Sequence, residues 1–403
     1  MIIDYGIYAA NRGLQTIAPE EAMPEKVALR YLYESVGLLP WLGNDRPDNG
    51  HEAPYGDHYY LVTDKGLSRE LGWVGTYGET FLRFMRDMAN LSGDGRIKQQ
   101  LIKVQTARMI FRYPAIDPDG YRQMKLTSEI DSRTAHFPLQ FSDYTAPDIN
   151  EMLGLEVPAL TKDTASVGAA QQSFEDGQYS CTLASHIRDA DTLKLMRNVD
   201  AYETVKALPE SRYRLPMSDG QPDFVFSDEE NAVLAIKHGD DRLFVNFYYR
   251  QEHAPSGSTR ILDITPTNMR IATVKSHFEL IPSGHIWIRP NIIDFERTGG
   301  LPPPNEHIDQ AWSGETLEIS KRPDDAKFPA YGNWGPFVGK AAFYWIRYDD
   351  YLIALNTSDS SSYTLPVPAD IDSAPDLVSE KIIDLKNDVK VGPRSTVVLY
   401  LAR

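Results

Sequence analysis

The sequence has little cysteine, few cationic residues and no long apolar run. It contains one cysteine, Cys181, among 403 residues. A single cysteine forms no internal disulfide and supplies no CxxC pair for zinc, so we expect Cys181 to be a small buried apolar residue rather than a nucleophile.

Lysine and arginine total 41 against 57 aspartate and glutamate residues, which gives a net charge of −16. Binding to the phosphates of nucleic acid needs a basic face, so the charge balance argues against it.

The sequence contains no apolar run of about 18 residues, so it predicts no transmembrane helix and no membrane partner. The first residues, MIIDYGIYAANRG, lack the basic region and the apolar run of a signal peptide. If Met1 is the natural start, we expect a cytoplasmic protein. If the chain is an N-terminally shortened piece, we expect an extracellular or periplasmic, secreted enzyme.

Several common catalytic motifs are also missing. The sequence has no HExxH, GxxxxGK[ST], GxSxG or GxGxxG, which disfavours zinc proteases, P-loop enzymes, α/β-hydrolases and Rossmann enzymes. The DPDG segment (117–120) resembles the start of a calcium loop, but the spaced acidic ligands and the final glutamate of an EF-hand are missing. We therefore expect no EF-hand and leave a structural calcium ion elsewhere open.

The chain has two halves with different periodicity. Residues 1–210 contain apolar residues at helical spacing, as in 24–42, GETFLRFMRDMANLSG and RIKQQLIKVQTARMIFRYP, with stops expected at Gly93 and before Pro114. Residues 211–403 contain short runs of alternating residues, including hairpin patterns around HGDD and YDD. Helices followed by strands indicate a multidomain α+β fold, with a helical domain over 1–210 and an antiparallel β-sandwich over 211–403.

One stretch collects polar aromatic residues between glycines: YGDHYYLVTDKGLSRELGWVGTYGETFL, residues 55–82. Histidine titrates near neutral pH, whereas the reference pKa of tyrosine is near 10. A tyrosine beside a histidine and arginines can move a proton in both directions. This combination suits β-elimination on a uronic acid, where cationic and amide groups stabilise the developing enolate.

The WVGTYGETFL segment (73–82) resembles the YTGxYGxxLL segment of polysaccharide lyase family 8, which contains the hyaluronate, chondroitin AC and xanthan lyases. In that family a histidine-bearing segment precedes it, and YGDHYY (55–60) stands in the corresponding place. The resemblance implies an (α/α) toroid followed by antiparallel β-sandwich domains. It also implies cleavage of a uronic-acid-containing polysaccharide or oligosaccharide by β-elimination.

The resemblance implies roles for individual residues. Tyr77 matches the family's catalytic tyrosine, which serves as base and then as acid, and His58 matches its catalytic histidine. The DGYRQMKLTSEIDSR segment (119–133) stands at the distance of the family's arginine-bearing loop. The substrate-binding residues implied in this way are Arg122, Lys125 and Arg133. Trp73 is a candidate platform for sugar stacking, and His51 and Tyr60 are further candidate substrate-binding residues.

The sequence also departs from the family. The interval from His58 to Tyr77 is longer than the corresponding interval in the family, and the helical part of the chain is shorter than the family's helical domain. No NWW-type asparagine segment precedes His58. We therefore expect the chain to represent the C-terminal part of such an enzyme or a trimmed relative. The glycan and the oligomeric state stay open.

Two other interpretations are compatible with the residues. An inverting glycoside hydrolase needs two carboxylates separated by room for a water molecule, and Asp57, Glu70, Glu79 and Asp131 are available. A non-catalytic carbohydrate-binding protein would keep the aromatic and cationic residues without turnover.

Overall fold

The computed structural model describes residues 1–39, 62–68, 72–116, 120, 122–131, 155–177, 179, 200–249, 255–288, 316–320 and 340–402. The chain forms two compact units. The first consists of Met1–Ser68, Val74–Ser128 and Phe141–Pro222, and the second of Arg69–Trp73, Glu129–Gln140 and Asp223–Arg403. Helices dominate the first unit and antiparallel strands the second, so the predicted mixed α+β class is confirmed. None of the helices in the described part of the chain is both long enough and apolar enough to cross a membrane.

The first unit is built from helices and one small hairpin. The helices are α1 (Ile2–Ile17), α2 (Glu25–Ser35), α3 (Thr76–Ser92), α4 (Gly95–Met109), α5 (155–161), α6 (Thr164–Glu175) and α7 (200–206). The first four helices share one core, to which each contributes fully buried side chains, among them Tyr8, Leu32, Met85 and Leu101. Each aliphatic side chain buried in this way stabilises the fold by roughly 1.5–3 kcal/mol.

A tight connection joins α3 to α4. Gly93 ends α3 in the left-handed conformation, with φ of 66°, as the sequence predicted. Asp94 then caps α4, because its side chain accepts hydrogen bonds from the backbone N–H groups of Arg96 at 2.7 Å and Ile97 at 3.3 Å. A glycine stop followed at once by an aspartate cap turns the chain back on itself, so the two helices form a hairpin.

One predicted helix end is wrong. The helix predicted over 24–42 ends at Ser35, and Gly37 then adopts a φ of 74°, a left-handed conformation that a right-handed helix does not use. The helix predicted to end before Pro114 does so, at Met109. The chain then forms an antiparallel hairpin of β1 (Arg112–Ile116) and β2 (Arg122–Leu126). Pro114 is tolerated in β1 because each strand of a two-stranded sheet has a free edge.

The second unit contains the remaining strands. The strands are β3 (Phe224–Asp228), β4 (Val233–His238), β5 (Asp241–Asn246), β6 (Ser258–Thr265), β7 (Asn268–Lys275), β8 (His277–Phe278), β9 (Pro282–Ile288), β10 (Thr316–Ser320), β11 (Phe343–Tyr348), β12 (Tyr351–Asn356), β13 (Tyr363–Leu365), β14 (Ser373–Asp376), β15 (Lys381–Asp384), β16 (Val389–Val391) and β17 (Ser395–Tyr400). They form a five-stranded sheet (β3-β4-β5-β6-β7), a six-stranded sheet (β15-β14-β17-β12-β11-β8) and two-stranded sheets β9–β10 and β13–β16. The hairpins predicted around HGDD and YDD are confirmed as β4–β5 and β11–β12.

The two large sheets bury apolar residues in one common core. Leu234 and Ile236 from β4 meet Ile353 and Leu355 from β12 in this cluster. The alternate residues of β12 belong to a second cluster, on the opposite face of the same sheet, which also contains residues of β13 and β16. The six-stranded sheet is therefore covered on both faces.

Candidate active site

The start of α3 belongs to the predicted site and lies among the described residues. The backbone of Tyr77 lies in the first turn of this helix. Arg122, Lys125 and Trp73 are also among the described residues. The other predicted residues lie outside the described residues: His51, His58, Tyr60, Arg133, Cys181, and Asp57 and Glu70 of the hydrolase alternative.

Arg108 fixes the backbone that leads into α3. Its side chain comes from the buried face of α4 and is 2% exposed. One guanidinium nitrogen, Nη1, donates to the carbonyl oxygen of Val74 at 3.1 Å and to Oγ of Ser68 at 3.2 Å. The other, Nη2, donates to the carbonyl oxygen of Gly75 at 2.5 Å. The turn before α3 is thus held by side-chain donors from a neighbouring helix.

Two residues of the WVGTYGETFL segment, Gly78 and Glu79, are in direct contact with Arg108. Gly78 lies so close to the guanidinium that an added Cβ would be 2.4 Å from Nη1, so any side chain here would have to displace Arg108. Glu79 supplies the counter-charge, since its Oε1 accepts from Nε of Arg108 at 2.8 Å and its Oε2 from Nη2 of Arg112 at 3.2 Å. Gly78 and Glu79 therefore belong to the packing around Arg108 that supports the backbone of Tyr77.

Charged side chains lie beside the first turn of α3. The guanidinium groups of Arg108 and Arg112 both hydrogen-bond to the carboxylate of Glu79. The N-terminus of α3 adds roughly half a positive charge from the aligned peptide dipoles. Because the side chains of Arg108 and Glu79 are 2% and 3% exposed, bulk salt screens these charges less than surface charges.

The β1–β2 hairpin separates Arg112, which supports α3, from the predicted substrate-binding residue Arg122. Arg112 stands at the start of β1, whereas Arg122 pairs with Ile116 at the far end. Four residues of extended chain place the two backbones about 13 Å apart. Arg122 is exposed. Burial of Asp176 raises the pKa of its carboxyl group, and the positive charge of Arg122 partly offsets this rise.

Lys125 does not share a face with Arg122. The two residues are three positions apart in β2, so their side chains leave opposite faces of the strand. Lys125 is half-buried, and its Nζ lies 5.9 Å from the centre of the Tyr113 ring. The structure therefore keeps Arg122 as a residue open to a ligand and places Lys125 against the protein interior.

Trp73 is fully buried, with 0% of its surface exposed. A stacking platform for a sugar needs an exposed ring face. Trp73 therefore presents no ring face on which a sugar could stack, contrary to its predicted role in substrate binding.

The segment that leads to Arg133 is anchored on the five-stranded sheet. Nδ2 of Asn246 in β5 donates to the carbonyl oxygen of Ile130 at 2.6 Å. Nε of Arg260 in β6 donates to the carbonyl oxygen of Glu129 at 3.2 Å. Asp131 is 1% exposed. Residues 129–131 are thus held in place immediately before the arginine.

The central residue of this site, Arg108, was not among the predicted functional residues. The sequence contains a signal for it, because an arginine continues the apolar face formed by Leu101 and Val104 in α4. A cation on a buried helix face needs a carboxylate or carbonyl partner. The arginine at position 108 therefore predicts a buried ion pair, but the sequence does not identify Glu79 as its partner.

Among the described residues, no group of three or more histidine, cysteine, aspartate or glutamate side chains is arranged to hold a metal ion. No protein-family model, no curated protein and no solved structure matches this chain.

Proposed function

We propose that the protein is a polysaccharide lyase that cleaves a uronic-acid-containing glycan by β-elimination. Tyr77 takes the proton next to the carboxylate and returns a proton to the leaving oxygen. His58 shares the base role or neutralises the uronate carboxylate. Arg122 and Arg133 bind anionic sugar units, and His51 and Tyr60 are further substrate-binding residues. The chemistry needs no redox or organic cofactor.

The observation that carries this proposal is the buried Arg108 beneath the first turn of α3. A proton-transfer group must be held in a fixed position relative to its substrate. Hydrogen bonds from Arg108 to the carbonyl oxygens of Val74 and Gly75 fix the backbone just before Tyr77. A fully buried arginine that holds one turn is a costly arrangement for an ordinary surface loop, because desolvating a charge is unfavourable.

The position of Arg122 supports a substrate longer than one sugar. Its backbone lies about 13 Å from that of Arg112, along the β1–β2 hairpin. This separation exceeds the length of a single sugar ring, so Arg122 suits a carboxylate on a neighbouring unit of the glycan. An extended acidic chain is the ligand that such an arrangement favours.

We extend the proposal to the architecture. The antiparallel α3–α4 hairpin in the first unit is the repeating element expected of an (α/α) toroid. The common core of the five- and six-stranded sheets in the second unit is the packing expected of a β-sandwich. Both features support the same family-like organisation.

The hydrolase alternative is less well supported. Glu79 accepts hydrogen bonds from two arginines and its side chain is 3% exposed, so it is not available as a general acid or base. Asp131 is 1% exposed. Neither carboxylate faces open solvent, where an attacking water molecule would have to enter.

The test is a product assay on hyaluronan, chondroitin, xanthan and other uronic acid polymers. A lyase leaves an unsaturated uronate, which absorbs in the ultraviolet, and a hydrolase does not. We expect absorbance to rise on at least one polymer and Tyr77→Phe to abolish the rise. The matched control is Tyr202→Phe in α7, which should keep full activity. New reducing ends without ultraviolet absorbance would establish hydrolysis, and binding without either product would indicate a non-catalytic protein.

A further inference from the structure

The first unit contains a groove away from the start of α3. It has a volume of about 560 Å³, and it is lined by residues of α4 and by Leu38, which follows α2. We infer that this α4 groove is a non-catalytic subsite that binds an acidic oligosaccharide. The ligand class rests on the function proposed above, whereas the site itself is formed by described residues of one unit.

The α4 groove is lined by one stripe of polar side chains. Its volume is typical of ligand sites, which occupy roughly 300–1,000 Å³. The stripe has the spacing i, i+3, i+4 and i+7 of a single helix face, and its members are Arg96, Gln99, Gln100 and Lys103. Two cations and two amides suit a ligand that carries both carboxylates and hydroxyl groups.

The two cations stand at opposite ends of the stripe. Arg96 and Lys103 are seven residues apart, which is about 10 Å along the helix. Both are exposed, and Lys103 has no hydrogen-bond or ion-pair partner in the part of the chain that the structure describes. The spacing exceeds the length of one sugar ring, so it suits a glycan in which acidic units alternate with neutral ones. In a chain of net charge −16, accessible cations of this kind give an anionic ligand a local attraction.

The one acidic residue in the groove is occupied by its neighbours. Asp94 accepts from the backbone N–H groups of Arg96 and Ile97 and from the hydroxyl group of Tyr33 at 2.5 Å. Arg96 lies over the Tyr33 ring, 4.3 Å from its centre, and uses Nη2 to reach Asp94 and the Tyr33 hydroxyl. The remaining guanidinium donors of Arg96 stay open to a ligand. Because Asp94 offsets part of the Arg96 charge, Lys103 should contribute most to attraction of an anion.

Hydrogen bonds between α2 and α4 form the walls before a ligand binds. The Gln100 side chain, on a residue that is 8% exposed, donates from Nε2 to the carbonyl oxygen of Val36 at 2.8 Å. The backbone N–H of Leu38 donates to the carbonyl oxygen of Tyr33 at 2.8 Å, which closes the turn after α2. The bond from Tyr33 to Asp94 adds a second link between the helices. A preformed site loses less entropy when it binds.

The experiment measures binding separately from cleavage. The whole chain carrying Tyr77→Phe is titrated with oligosaccharides of hyaluronan, chondroitin and polygalacturonate. Nuclear magnetic resonance follows the backbone amides of α4 and the side-chain amides of Gln99 and Gln100. We expect at least one acidic oligosaccharide to shift these signals and neutral maltohexaose to leave them unchanged. Added salt should weaken the binding, because the cations are exposed.

A matched pair of lysines on α4 tests the site. Lys103→Gln should raise the dissociation constant roughly three- to tenfold, because it removes an unpaired cation from the groove. Lys98→Gln removes the same charge from the same helix, but Lys98 does not line the groove and should leave the dissociation constant unchanged. Equal weakening by the two substitutions would overturn the inference, since it would reflect only the overall charge.

The remaining outcomes separate the subsite from the proposed function. Binding that depends on Lys103 without cleavage of any polymer would support the groove and contradict the lyase. Cleavage without shifts in α4 would leave the lyase standing and overturn the groove, as would the absence of binding by every acidic oligosaccharide. Inorganic phosphate is the last arm: equal shifts with phosphate alone would show a site for free anions and would also overturn the oligosaccharide subsite.

Discussion

Gly78 of α3 and Arg108 of α4 are in direct contact, and the contact leaves no space for a side chain at position 78. A Cβ there would lie 2.4 Å from Nη1 and 2.7 Å from Cζ of Arg108. The guanidinium is held by the carbonyl oxygens of Val74 and Gly75 and by Glu79, so it cannot move away without losing these hydrogen bonds. The glycine is therefore a packing requirement of the buried arginine.

Replacing this glycine should destabilise the helical unit. We expect Gly78→Ala to lower the free energy of unfolding by about 1–3 kcal/mol, because the added methyl group overpacks a filled site. Gly13→Ala in α1 is the matched control, since no atom lies within 4 Å of its added Cβ. That control should raise the free energy of unfolding by roughly 0.5–1 kcal/mol. Urea unfolding followed by far-ultraviolet circular dichroism measures both; equal effects would contradict the packing argument.

The ion pair of Arg108 and Glu79 should show strong coupling. We expect Arg108→Met to lower the free energy of unfolding by about 3–5 kcal/mol, because it leaves a buried carboxylate with Arg112 alone. The double variant with Glu79→Leu should cost less than the sum of the single changes, with a coupling of about 0.5–3 kcal/mol. The exposed pair of Arg214 and Glu175 is the control, with an expected coupling under about 1 kcal/mol. Additive effects at Arg108 and Glu79 would show that the pair is not coupled.

Asn246 should hold residues 129–131 on the sheet. Its side chain donates to the carbonyl oxygen of Ile130 at 2.6 Å and accepts from the backbone N–H of Tyr248 at 2.9 Å. Because the residue is fully buried, Asn246→Ala should cost about 1–3 kcal/mol. Hydrogen exchange should speed up in peptides that contain Ile130 and Tyr248. The exposed Asn268→Ala should change neither, and unchanged exchange in Asn246→Ala would refute the anchor.

Asp241 should make the second unit less stable as the pH rises. Burial raises the pKa of its carboxyl group, the hydrogen bond from Tyr351 opposes the rise, and Asp263 and Asp349 add to it. A folded-state pKa above the unfolded value means that stability present at acidic pH is lost as the pH rises through the folded pKa. Asp241→Asn should therefore raise the melting temperature at neutral pH.

The pH dependence provides the check on Asp241. The gain in Asp241→Asn should disappear below about pH 4, where the carboxyl group is protonated in both states. Asp388→Asn, at a side chain that is 77% exposed, should leave the melting temperature nearly unchanged at both pH values. A lower melting temperature for Asp241→Asn at neutral pH would mean that the Tyr351 hydrogen bond outweighs burial.

Local patterns in the sequence predicted local structure well. The turns after His238 and Tyr348 were marked by short polar residues between alternating apolar ones, and both formed hairpins. Gly93 marked the end of α3 because only glycine adopts the left-handed conformation without cost. These features depend on neighbours within a few positions of the chain.

Features that depend on distant residues were not predicted. Arg108 and Glu79 are 29 positions apart, and nothing in either local sequence names the other. The burial of Trp73 is decided by packing, since tryptophan is common both in cores and at binding grooves. The β1–β2 hairpin was missed because the apolar residues of the preceding helix continue into Phe111 and Tyr113 at a spacing that also suits a helix.

The double-sided burial of β12 restricts which sequences this protein can tolerate. All six residues from Tyr351 to Asn356 are buried, and successive side chains enter two different cores. A charged or larger residue at any position from Tyr351 to Leu355 would disturb one core or the other. Among related proteins, the YLIALN sequence of β12 should therefore change far more slowly than the sequence of β7, where Asn268, Met269 and Arg270 are exposed. The YLIALN segment should therefore serve as a marker for finding distant relatives.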